Sequence, residues 1–116
     1  MTKPQDPITK ILNDRQVTHG GYLPKCVFIQ STKEAMRDEN GNWYRLDSDM
    51  QESLDMVIHK ISRILYGDPY HTDNWLDIAG YIMLVGNRLQ IEEEFNERTK
   101  RFRIAYSKVK RCICIK

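Results

Sequence analysis

Residues 51–81, QESLDMVIHKISRILYGDPYHTDNWLDIAGY, restrict the possible folds more than any other stretch. Apolar residues recur at helical spacing on both sides of Gly67-Asp68-Pro69, which predicts two helices joined by a short loop. In the first, Met50, Leu54, Val57, Ile58, Ile61, Ile64 and Leu65 form a wide stripe that belongs against other helices. Glu52, Asp55, His59 and Arg63 recur at steps of three, four and four, so a helix stacks them on a face that the stripe leaves free. In the second, Asp73, Asp77 and Tyr81 recur every four residues.

Carboxylates facing carboxylates across two helices are what a divalent cation needs, and a neighbouring Lys or Arg is what a phosphate needs. Two readings of the seam follow. In one, Asp55 and Asp77 hold Mg²⁺ with help from Glu52 and Asp73, and the ion bridges phosphate oxygens and activates a water. Lys60 and Arg63, with Lys33 or Arg37 from the preceding helix, then neutralise the phosphates, while Trp43, Trp75 or Tyr22 stacks on a base. In the other, Asp73 and Asp77 favour the helix N-terminus through its dipole, and Asp55 pairs with Arg63 or Lys60. His59 is a general base, a ligand or a hydrogen-bonded helix residue. Trp75 is a core residue or a stacking platform, and Tyr81 points at the acidic face or is satisfied by a neighbouring helix. His19, beside two glycines, contacts a ligand or stabilises the turn, and His71 faces solvent from the loop.

The rest of the chain predicts more helix. A first one spans 7–17 with Pro7 at its start, and a second runs from Tyr22 to about Arg37, closed by a left-handed cap at Asn40 or Gly41. Trp43, Tyr44 and Leu46 are placed to seal the end of a bundle. Ser48 and Gln51 have the capping-box spacing for the third helix, and Thr72 or Asp73 caps the fourth. Trp75, Ile78, Ala79, Ile82, Met83 and Leu89 form the expected buried side of that fourth helix, which continues to about residue 109. The terminal Cys112-Ile113-Cys114-Ile115 alternates with a period of two and reads as a short strand or a docking tail. The expected fold class is all-α: a bundle of four or five helices with a long C-terminal helix and a basic tail.

A chain of 116 residues, 41% hydrophobic and 29% charged, fits one globular domain. No apolar run approaches the roughly 20 residues that cross a bilayer. MTKPQDPITK has no signal-peptide hydrophobic region, so a cytoplasmic location and no membrane partner are expected. Three cysteines, Cys26, Cys112 and Cys114, are an odd number, and the C-x-C spacing suits reduced thiols.

The net charge of +2 conceals an asymmetry. Positions 1–97 hold ten basic and sixteen acidic residues, whereas 98–116 hold eight basic and no acidic ones. The chain therefore divides into an acidic helical body, 1–97, and a basic extension, 98–116. Arg98, Lys100, Arg101, Arg103, Lys108, Lys110 and Arg111 suit salt-sensitive phosphate contacts with DNA or RNA, with Phe102 or Tyr106 stacking. The alternative is a solvated face that docks on the acidic body or on a second subunit. Apolar positions on the fourth helix exceed what a small bundle covers, which predicts a homo-oligomer.

THGGY at 18–22, ESLDMVIHKISRILYGDP at 52–69 and DNWLDIAGY at 73–81 resemble the signature of a phage protein family of unknown function. Its members read THGxY, EALDMIAHKIARILNGDP and DxWxDIAGY, and the likeness covers roughly residues 8–90. In helix layout that family is similar to the MazG-like, all-α NTP pyrophosphatases, which hold magnesium with acidic residues on adjacent helices. The resemblance implies Mg²⁺-dependent cleavage between the α and β phosphates of a nucleotide, with Glu52, Asp55 and His59 as catalytic residues. The chain departs from the pyrophosphatase pattern: it has E-x-x-D at Glu52 and Asp55, but its Glu-rich run, Glu92 to Glu94 with Glu97, lies later. A non-enzymatic phage accessory protein, binding a host protein or nucleic acid through the basic extension, is the second function class.

Overall fold

The computed structural model describes residues 4–19 and 21–114, with side chains described throughout except at 16–19 and 110–114. It is helical, with no strand among the described residues: α1 (Pro7–His19), α2 (Tyr22–Met36), a single 3₁₀ turn (Trp43–Arg45), α3 (Ser48–Tyr66) and α4 (Thr72–Cys114). Two compact units divide the chain, Met1–Met83 and Leu84–Lys116. No described helix is long and apolar enough to cross a membrane.

Local chemistry accounts for each boundary. Asp6 caps α1 through both carboxylate oxygens, Oδ1 accepting from the Thr9 N–H at 2.8 Å and Oδ2 from the Thr9 hydroxyl at 2.7 Å. Pro7 follows in the first turn, where its missing N–H costs nothing. α2 ends where the Arg37 N–H is shared between the carbonyls of Lys33 and Glu34, at 3.1 and 3.2 Å. That tightened turn replaces the left-handed cap expected further on, and Gly41 does not adopt left-handed backbone. The capping box expected at the start of α3 does not form either. Asp47 is the N-cap residue, and the Gln51 side chain instead donates to the Trp43 carbonyl at 2.8 Å, fixing the 3₁₀ turn against α3. α3 stops at Gly67, whose N–H donates to the Arg63 carbonyl at 2.9 Å, and an Asp68 side-chain turn leads into α4.

Within the first unit α3 is the central element, packed against both α1 and α2. Polar and aromatic side chains of α3 meet α2. Gln51, Asp55, His59, Ser62 and Tyr66 lie on one helical line, and Tyr66 meets the Phe28 ring of α2 in a tilted pair with centroids 5.9 Å apart. On the face expected to stay free, Asp55 and His59 are therefore partly covered by α2, while Glu52 is exposed. Val57 is the one buried member of the apolar stripe, alongside Ile29 and Trp43, while Leu65 is exposed. Three of the buried residues are polar: Ser53, Ser62 and Asn74. The expected buried side of α4 is likewise displaced, with Asn74 only 2% exposed but Trp75, Ile82, Met83 and Leu89 all open to solvent. Helix continues through Cys112 to Cys114, so the terminal alternation makes no strand there, and Ile115 lies outside the described residues.

Candidate functional site

The α2–α3 seam gathers the polar chemistry of the first unit. α2 contributes Lys33 and Arg37, four residues apart and so on one face, and α3 contributes Asp55 and His59 with the same spacing. Asp55 Oδ1 lies 3.5 Å from Arg37 Nη2 and 3.9 Å from Lys33 Nζ. That oxygen is buried and accepts no hydrogen bond from a described residue, so the two cations are what offset its desolvation. Lys33 Nζ also stands 3.2 Å from His59 Nε2. Arg37 is fixed from three sides: it donates to the Lys33 carbonyl at 3.3 Å, pairs with Asp55, and lies 4.8 Å over the Trp43 ring.

More positive charge surrounds this group. Burial first, and then repulsion from Arg63, lowers the Lys25 pKa below the usual lysine value. His59 is lowered too, by burial first and next by Lys33, with smaller effects from Arg63 and Lys25 and an opposing one from Asp55. Lys25, Lys33, Arg37 and Arg63 thus converge on a seam into which the described contacts bring a single carboxylate. Cations held together at the cost of mutual repulsion can take up an anion, because an arriving phosphate relieves that repulsion.

The remaining expected site residues are dispersed. Lys60 turns away from the seam to Asp77 on α4, with Nζ and Oδ2 2.8 Å apart. Asp73 pairs with His71 at 3.8 Å, and Glu52 is exposed. Each of Asp55, Asp73 and Asp77 therefore lies beside a different basic group. No three metal-ligating side chains gather among the described residues. Trp75 is 55% exposed and donates its indole N–H to the Pro69 carbonyl at 2.8 Å, which ties it to the loop, while Tyr81 is half-buried. Of the tail residues, Arg98, Lys100, Arg101, Arg103 and Lys108 are exposed on α4, and the side chains of Lys110 and Arg111 lie outside the described residues, as does the His19 ring. Cys26 is a free thiol.

Sequence reasoning missed Lys25, although its spacing of eight from Lys33 puts both on neighbouring lines of α2. It also missed Trp43 as the support for Arg37. The signal was present there: a Trp directly after Asp-Glu-Asn-Gly-Asn must pack back on the preceding helix to be buried. Comparison with protein-family models, with curated proteins and with solved structures found no significant match.

Proposed function

We propose that the α2–α3 seam binds the phosphate groups of a nucleotide. Lys33, Arg37 and Arg63 carry that role, together with Lys25. The observation that supports it is the convergence of four cations around Asp55 and a neutral His59, with the Arg37 guanidinium pre-set by the Trp43 ring. A planar guanidinium already held in place loses little freedom on meeting a phosphate, and lysine ammonium groups add charge without strict geometry. The resemblance to the all-α pyrophosphatases points to a nucleoside triphosphate among phosphate-bearing ligands.

The reading stops at binding. Hydrolysis through Mg²⁺ needs Glu52, Asp55, Asp73 and Asp77 to meet on one ion, whereas Asp55, Asp77 and Asp73 each lie beside a basic side chain. The test is calorimetry of the full chain with ATP, pyrophosphate and inorganic phosphate, each with and without Mg²⁺. Binding that does not require the metal, and that is lost in a Lys33→Ala, Arg63→Ala double variant, is the expected result. No heat and no thermal shift with any of the three ligands sinks the proposal, and pyrophosphate release from a nucleoside triphosphate with Mg²⁺ would restore the hydrolytic reading.

A further inference from the structure

The second unit, Leu84–Lys116, is helical in its described part, and its large apolar side chains are exposed: Phe95 at 67%, Phe102 at 72%, and Ile91 and Val109 well open. Their positions are regular. Ile91, Phe95, Arg98, Phe102, Ala105 and Val109 follow steps of four, three, four, three and four, the spacing of a coiled-coil seam. A seam of this period faces one partner helix continuously when the two wind about each other. The period restricts the partner to another helix, and the charges identify which one.

Glu92, Glu93, Glu94 and Glu97 occupy the first part of this segment, and Arg98, Lys100, Arg101, Arg103 and Lys108 the second. All nine are exposed. Two copies aligned parallel and in register would set glutamates against glutamates and cations against cations, and would bury Arg98 against Arg98. Reversed, the glutamates of each copy lie along the basic run of the other. A reversed pair centred near residue 100 also matches size to size: Ile91 meets Val109, Phe95 meets Ala105, and Arg98 meets the ring of Phe102. Such an interface repeats the same patch on both chains and closes on itself.

We propose that residues 91–109 pair antiparallel with the same segment of a second copy of this chain. The inference is independent of the phosphate site. Sedimentation equilibrium of the full chain over a wide concentration range is expected to show a dimer that dissociates as salt is added, because the flanking pairs are solvent-screened. A Phe95→Ser, Phe102→Ser variant is expected to be monomeric, and so is Glu92→Lys, Glu93→Lys, Glu94→Lys, Glu97→Lys, since that change turns attraction into repulsion only in the reversed arrangement. Circular dichroism and chemical denaturation of both variants show that the first unit still folds. A chain that sediments as a monomer throughout, whether or not it binds DNA or RNA, overturns the proposal. So does a four-lysine variant that dimerises as tightly as the unaltered chain.

Discussion

Lys33 Nζ donates across the α2–α3 seam to His59 Nε2 at 3.2 Å, a contact that only a neutral imidazole can accept. Such a contact favours the tautomer with its proton on Nδ1. Protonating Nε2 would place a second positive charge against the ammonium, in surroundings that already hold Lys25 and Arg63. The pair therefore ties the protonation state of one side chain to the packing of two helices.

Stability should fall on mild acidification. The folded-state His59 pKa lies below the ordinary histidine value of 6.5, through burial and then Lys33. The unfolded chain thus takes up the proton first as pH drops. The stabilisation is fully present above 6.5 and is lost as pH falls from there through the lowered folded value. Urea titrations across this window should show the decline, and His59→Gln should flatten it.

Nucleotide affinity should move the other way. A bound phosphate favours the protonated imidazole, so calorimetry at constant ionic strength should find tighter binding as pH falls below 6.5. Binding accompanied by proton uptake, read from the buffer dependence of the heat, is the specific signature. Affinity that is flat in pH would place the phosphates away from His59.

Asp55→Asn separates a direct phosphate site from a metal site. Removing the carboxylate frees Lys33 and Arg37 and should raise affinity for inorganic pyrophosphate by about tenfold, equal to ~1.4 kcal/mol. If Asp55 held a metal, the same change would abolish Mg²⁺-dependent binding. The cost in folding stability should stay within about 1 kcal/mol, since both ion pairs are partly solvated. Asp77→Asn, which disturbs only the Lys60 pair, should leave affinity unchanged.

The two tryptophans should differ sharply. Trp43 is buried beneath Arg37, so Trp43→Ala should cost about 3–5 kcal/mol in chemical denaturation and also weaken nucleotide binding. Trp75 is mostly exposed, and its alanine variant loses little beyond the bond to Pro69, about 1 kcal/mol. Equal effects would contradict the assignment of Trp43 as the support of the site.

The helices were legible because their signals are local. Asp6 with Pro7, Gly67 before Asp68-Pro69, and the four-residue steps along α3 act within a turn or two of chain. Which face of α3 meets α2 was not legible. Hydropathy favours burying Leu54, Ile61 and Leu65, yet Leu65 is exposed, and Asp55 and His59 lie against Lys33 and Arg37 of α2. That choice depends on partners separated by more than twenty residues, as Lys33 and His59 are. The pairing of Asp77 with Lys60 likewise joins two helices and turns on the same kind of non-local information.

Ser62 gives the seam a property that its charges do not. Its hydroxyl donates to the His59 carbonyl of its own helix at 2.6 Å, and the residue is 1% exposed. The hydroxyl proton is thus satisfied within α3 itself. A side chain buried this completely has little room to grow, so adding even a methyl group at position 62 should strain the packing around α3 without altering a single charge.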